Sequence, residues 1–256
     1  MTRRHIIIPD LQIRPGDDLS FISWIAKYVV HSKPDVLVQI GDFADMPSLS
    51  SWDQGKKSFE GRTYTADIAA ANCALEMLDF PIREEQKRLV ANKKKAWKVR
   101  KAVTLGNHED RINRVIESDR KLDGLVSTDH INFKVLGWEV YPFLEPVTID
   151  GVVYCHYLTS GVMGRPITTA SAILTKRHQS AVVGHQQGRQ VANAVRADGK
   201  LMTAIICGSC YLHLENYLGP QGNNHFRGIV VLNEVNDGQF DELFVSLNYL
   251  KRKYGV

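Results

Sequence analysis

The sequence predicts an α/β fold in which two mixed β-sheets pack face to face with helices on their outer sides. Three observations predict it. Short apolar runs recur along the chain, each closed by a glycine or proline and then a polar residue, as at Ile6–Pro9 with Asp10 and Val36–Gly41 with Asp42. The first three elements read strand, helix, strand, the order that builds a parallel pair with a crossover helix. Helical spacing dominates the first half and strand signals the second, which suits two sheets with helices outside them.

In order, Arg4 to Pro9 reads as a buried strand ending in Asp10. Leu19, Ile22, Ile25, Ala26, Val29 and Val30 give Asp17 to His31 a helical apolar stripe. Val36 to Ile40 is a second short strand closed by Gly41, and Phe43 to Thr65 reads as loop. Ala66 to Asp79 predicts a helix, with Pro81 opening another that runs to about Trp97. Ala102 to Leu105 is a strand running into GNHED, and Glu109 to Glu117 is helical. Strands follow at Glu139–Tyr141, Val147–Ile149, Val152–His156 and Ala181–Val183, with a helix over Ile167 to His178. Hairpins turn at Asp198-Gly199 and Asn236-Asp237-Gly238.

With 256 residues the chain fits one domain over 1–256, carrying a loop and helical insertion at about 44–100. It is 44% hydrophobic and 23% charged, which excludes a disordered or fibrous protein. The N-terminal run of three isoleucines is too short for a signal peptide or a membrane span, so a cytoplasmic protein without membrane contact is expected. Four cysteines do not make a disulfide scaffold at this length. Cys207 and Cys210 form a C-x-x-C pair with no second pair to complete a zinc site, and read as small residues in and after a buried strand. The net charge is +4, yet Lys87 to Lys101 alone carries eight basic residues and no acidic one. That stretch reads as a solvated helix face with Trp97 packed inward; the rival reading has it track a nucleic-acid backbone with Trp97 stacking a base.

Polar residues able to bind metal sit where the strands end. Asp10, Asp42, Asn107 with His108, and His185 each follow an apolar run, and His156 ends Val152–Cys155. α/β folds place their sites in such loops. Oxygen and imidazole donors suit divalent Mn²⁺, Mg²⁺, Ni²⁺, Fe²⁺ or Zn²⁺, and Cys155 should point away from His156 by strand alternation.

In order, the chain shows PDLQ, GDFAD, GNHED, YCHY and GHQQ. This series resembles the five-motif signature of calcineurin-like metallophosphoesterases: D-x-H, G-D-x-x-D, G-N-H-E/D, a lone H, and G-H-x-H. The phrases GDFADMPSL and GSCYLHLENYLGPQGNNHFRG also resemble uncharacterised phosphoesterases common in phage genomes, in which case the host cytoplasm is the expected location. The resemblance implies the four-layer αββα fold and a binuclear site of two divalent ions, Mn²⁺ first among them. By position it implies Asp42 bridging both ions, Asn107, His156 and His185 completing one site, and Asp10 anchoring the other. His108 would contact the phosphate or protonate the leaving oxygen, and a metal-bridging water would attack. The implied activity is phosphoester hydrolysis, with a phosphodiesterase acting on nucleotides or nucleic acid placed first. An inactive binding or scaffold protein on the same fold, and a phosphomonoesterase or protein phosphatase, are the alternatives.

Two positions depart from the signature. Gln12 and Gln187 stand where histidines are usual, and both belong to the same metal site. The paired change reads as a site retuned with amide oxygens toward harder ions such as Mn²⁺ or Mg²⁺; the other reading is a weak or empty site. Around this set, Asp45 is either an orienting partner or a helix cap, and Arg111 either grips phosphate or pairs locally. His213, Asn223, Asn224, His225 and Arg227 form either a substrate wall or an ordinary surface loop.

Overall fold

The structure, a computed structural model, describes residues 2–53, 55–215 and 218–255. The first half runs β1 (Arg3–Ile8), α1 (Ser20–Ser32), β2 (Val36–Gln39), α2 (Tyr64–Ala91), β3 (Arg100–Thr104), α3 (Arg111–Ser118) and β4 (Glu139–Tyr141). Then come β5 (Val147–Ile149), β6 (Val152–Cys155), β7 (Thr159–Ser160), β8 (Arg165–Pro166), α4 (Ala170–Arg177) and β9 (Ala181–Val183). The chain closes with β10 (Gln190–Val195), β11 (Leu201–Ile206), α5 (Gly219–Gly222), β12 (Gly228–Asn236), β13 (Gln239–Ser246) and α6 (Leu247–Tyr254).

These strands form two mixed sheets, ordered β13-β12-β1-β2-β3-β4 and β10-β11-β9-β6-β5, as expected of the α/β class. β1 to β4 run parallel, and so do β6, β9 and β11. Successive side chains of a strand point to opposite faces, so each sheet feeds two cores. Ile7, Val36, Val38 and Ile40 meet Tyr154, Val182 and Ile205 between the sheets. Ile6, Ile8, Leu37 and Val103 face the other way, onto α1 and α2. Val183, Ala204 and Ile206 turn outward beneath Ile173 and Leu174 of α4. The result is four layers: helix, sheet, sheet, helix.

The buried His5 of β1 ties the sheets together. Its Nδ1 lies 2.6 Å from the Tyr154 hydroxyl and its Nε2 2.9 Å from Asp150 Oδ2. Burial lowers its pKa, outweighing Asp150.

The helix expected to break at Pro81 does not. α2 runs continuously through it for 28 residues. Proline inside a helix loses one hydrogen bond and crowds the preceding turn, costing about 3 kcal/mol. Leu75, Leu78, Ile82 and Leu89 all bury on this helix, and each such side chain contributes about 1.5–3 kcal/mol. Packing thus overrides the breaker. The same helix stops short of Trp97: Lys93 takes a left-handed φ of 53° and the chain leaves the helical path. The Trp97 indole donates to the Pro34 carbonyl at 2.8 Å and packs on the core. Within the basic stretch, Lys87 pairs with Glu84, Arg88 with Glu85, Arg100 with Glu139, and Lys101 with the buried Asp79. α6, for which no element was expected, caps the outer side of the first sheet against α1. Among the described residues no helix is long and apolar enough to cross a membrane.

Cys155, Cys207 and Cys210 are buried and free, whereas Cys73 is exposed. Burial pushes the Cys155 thiol up to about 11 and the other two buried thiols higher still. Neither redox exchange nor thiolate ligation suits such groups. In the native protein one thiol per chain should therefore react with DTNB, and all four after denaturation. Rapid native reaction of three or more would contradict the buried C-x-x-C.

Candidate metal centre

The loops that end β1, β2, β3, β6 and β9 meet at the seam between the two sheets. Backbone bonds lace the first two: Gln12 N–H donates to the Asp42 carbonyl at 2.8 Å, and Ile13 N–H to that of Phe43 at 2.9 Å. Glycines permit the close approach. A Cβ at Gly106 would lie 2.1 Å from Asp42 Oδ1, one at Gly184 2.5 Å from Asp10 Oδ1, and one at Gly41 2.4 Å from His156 Nδ1. Gln12, Asp42 and His185 themselves take left-handed φ values of 45°, 50° and 67°. Such backbone costs a non-glycine residue on the order of 1 kcal/mol or more and concentrates where a side chain must be aimed.

Asp42, His156 and His185 offer ligand atoms within 4.8 Å of one another. Asn107 Oδ1 joins them, 3.0 Å from His156 Nε2 and 2.9 Å from His185 Nδ1. His156 Nδ1 is 3.0 Å from the Ile40 carbonyl, which leaves Nε2 for the cluster, 3.4 Å from Asp42 Oδ1. Asp10 is fully buried alongside. Its Oδ1 accepts from His185 N–H at 3.2 Å, while Oδ2 has no hydrogen-bond partner among the described residues. The buried Gln12 Oε1 likewise has none. Gln187 differs, for its Oε1 accepts from the Tyr211 hydroxyl at 2.7 Å.

Electrostatics follow from this crowding. Burial, with Asp42 adding, raises the Asp10 carboxyl to about 7. Burial also works against ionised Asp42, but His108 and His156 override it and hold the carboxyl far below its usual range. Burial opposes the His156 cation too, yet Asp42 and Asp10 lift that ring to about 9. Burial and cationic His156 press His185 down to about 4. Carboxylate and amide oxygens gathered with two imidazoles in one buried spot, two of the oxygens orphaned, fit a divalent cation.

His108 stands beside the cluster. Its N–H donates to Asp42 Oδ1 at 3.0 Å, its Nδ1 lies 2.6 Å from Asp45 Oδ1, and its Nε2 3.7 Å from Asp42 Oδ2. Against burial, Asp42 and Asp45 raise its pKa. Asp45 is therefore an orienting partner and not a helix cap, and Arg14 grips its other oxygen at 2.6 Å. Arg111 is held by the Asp45 and Met46 carbonyls at 2.7 and 3.3 Å, with Nη2 3.3 Å from His108 Nε2. The late polar loop is braced internally. His213 stacks on Tyr211 at 4.1 Å, Arg227 donates to three carbonyls of Tyr211–His213, and His225 meets Ser209 at 2.8 Å.

Sequence reading passed over three contributors. Buried Glu109 accepts N–H bonds from Asp42, Ala44 and Gly106 at 3.1, 2.7 and 2.7 Å, fixing two ligand loops at once. Its place inside GNHED was the available signal. Arg14 bridges Asp45 to Glu215, a partner 201 positions away. Tyr157 packs its ring 4.7 Å from that of His185.

A cavity of about 1210 Å³ opens here, lined by Gln12, Asn107, His108 and Arg111 among others.

No known family profile matches the chain. The Gene 54 protein of Mycobacterium phage L5 is 40% identical over 57 residues, 22% of either chain. The Gene 54 protein of Mycobacterium phage D29 is 38% identical over 55 residues, 22% of this chain and 21% of that one. The chain thus matches about a fifth of the length of these curated relatives. Of solved structures, TT1561 of Thermus thermophilus aligns over 95% of this chain and 99% of its own, with a TM-score of 0.33 and 8% identity. Another crystal structure aligns over 96% and 100% with a TM-score of 0.39 and 11% identity. At these scores the structural likeness carries no functional inference, while the phage proteins share a local stretch of sequence with this chain.

Proposed function

We propose that the chain is a metal-dependent phosphoester hydrolase, acting first on phosphodiesters of nucleotides or nucleic acid. The observation that carries this reading is the Asp42–Asn107–His156–His185 cluster with the buried Asp10 against it, whose Oδ2, like Oε1 of the buried Gln12 on the adjoining loop, has no partner among the described residues. Leaving such atoms bare costs about 1–3 kcal/mol each, which a bound cation would offset. Asp42, Asn107, His156 and His185 would hold one ion, and Asp10, Gln12 and Asp42 a second. Gln187 is the weaker candidate of the two glutamines, since Tyr211 already occupies its oxygen. Two divalent ions, Mn²⁺ first among them, supply Lewis acidity and neutralise an anionic phosphoester. Neutral Asn107 and Gln12 limit the negative charge facing that anion.

His108 supplies the proton. Asp45 Oδ1 lies 2.6 Å from Nδ1, which leaves Nε2 to face a leaving oxygen once Arg111, 3.3 Å from that nitrogen, turns to the substrate. Arg111, anchored by two carbonyls next to that nitrogen, would grip a phosphoryl oxygen. The cavity far exceeds one phosphate, leaving room for groups on both sides of a diester. EDTA should abolish hydrolysis of bis-p-nitrophenyl phosphate, and Mn²⁺ should restore it beyond the level Zn²⁺ reaches. Undiminished turnover by chelated, metal-free protein would sink the proposal.

A further inference from the structure

Apart from Arg111, assigned above to the reacting phosphate, the cavity's cations are engaged in ion pairs. Arg14 pairs with Asp45 and Glu215, and Lys56 and Arg62 both pair with Asp53. Its wall therefore offers little new to a second phosphate. Two other features stand out on it. Trp52 lines the cavity and is 84% exposed, an apolar platform open to a ligand. Asp67 lines it too and is 1% exposed. Its Oδ2 takes the Ser48 N–H at 2.9 Å and the Ser48 hydroxyl at 2.6 Å, but its buried Oδ1 has no partner among the described residues. A buried carboxylate oxygen without a donor is costly, so a ligand N–H placed there gains more than it would at a satisfied wall. An exposed aromatic face and an orphaned acceptor on the wall of one cavity match a planar heterocycle with an N–H edge, and flat bases stack on exposed aromatics in a sequence-tolerant way.

We propose that this cavity takes the nucleoside part of the substrate, with its base stacked on Trp52 and an N–H of its edge donated to Asp67. The assignment rests on the phosphoester reading for the position of the phosphate. Guanine, adenine and cytosine carry an amino group free to meet Asp67, whereas uracil flanks its one N–H with two carbonyls that a carboxylate repels. The Ser48 bonds to Asp67 Oδ2 hold the Pro47–Leu49 turn against the first turn of α2, so Ser48 sets the orientation of the carboxylate.

The test is calorimetric titration of the full Mn²⁺-loaded chain with GMP, AMP, CMP, UMP, ribose 5-phosphate and inorganic phosphate. GMP, AMP and CMP should each bind at least about tenfold tighter than ribose 5-phosphate, with UMP between them. Trp52→Ala should shrink that ratio for every nucleotide. Asp67→Asn keeps an oxygen for Ser48 and should shrink it for GMP, AMP and CMP, with UMP gaining relative to them. Trp52 is exposed, so its variant tests the idea even if Asp67→Asn folds poorly. Equal affinity for nucleotides and ribose 5-phosphate, or a ratio that survives both substitutions, overturns the proposal. A tenfold ratio in protein that hydrolyses no phosphoester supports the base pocket and overturns the phosphoester reading; loss of all phosphate binding overturns both.

Discussion

His108→Ala should keep its metal and lose kcat by about 10²–10⁴-fold on substrates with poor leaving groups. The imidazole sits beside the cluster without joining it: its Nδ1 is committed to Asp45 and its Nε2 stands 3.7 Å from Asp42 Oδ2. Removing it takes away a proton donor and leaves Asp10, Asp42, Asn107, His156 and His185 in place. The loss should shrink for p-nitrophenolate, which departs without protonation, and grow for alkoxides. Asp45→Asn should reproduce part of the defect with the metal again retained, because the ring then loses the carboxylate that orients it and Arg14 loses one of its two partners. Parallel titrations of bound Mn²⁺ and single-turnover rates check both variants. If His108→Ala instead empties the site, its role is ligation and the proton must come from elsewhere.

Asp42→Asn should be the most damaging change to metal affinity. Its carboxylate meets His156, receives the His108 N–H, and would serve both ions. Substitution of a mere outer partner lowers metal affinity by about 10–100-fold, so loss of this central charge should cost more than about 100-fold. Asn is nearly isosteric, which matters because a Cβ at Gly106 would already fall 2.1 Å from Asp42 Oδ1 and the pocket tolerates no added bulk. Isothermal titration with Mn²⁺, with circular dichroism to confirm folding, measures the effect. Wild-type affinity in the folded variant would remove Asp42 from the centre.

Much of the candidate site was legible because its residues sit where strand periodicity stops. Asp10, Asp42, Asn107, His108 and His185 each follow an apolar run closed by a small or rigid residue, and a polar side chain there has only the loop to enter. His156 follows from alternation with Cys155, whose side chain packs in the opposite core. What escaped depends on contacts distant in sequence. Pro81 reads as a breaker until the buried face of α2 is counted. The Arg14–Glu215 pair spans 201 positions, and no local pattern announces it. Glu109 looks like an ordinary helix start, yet it accepts three N–H bonds from two loops. The unpartnered oxygen of Asp67 is a property of its surroundings alone.

The number of metal ions held during turnover distinguishes a binuclear centre from a mononuclear or empty one. Metal-free protein is loaded with Mn²⁺, freed of excess by gel filtration, and assayed for bound metal per chain and for phosphodiester hydrolysis in the same sample. Two ions per chain are expected, with activity rising as the second binds, since Asp10 Oδ2 and Gln12 Oε1 are left bare by a single ion at Asp42, His156 and His185. Gln12→Ala should then hold one ion firmly and lose the second. Full turnover with one ion per chain, or no phosphoester hydrolysis with any divalent ion, would contradict a binuclear centre.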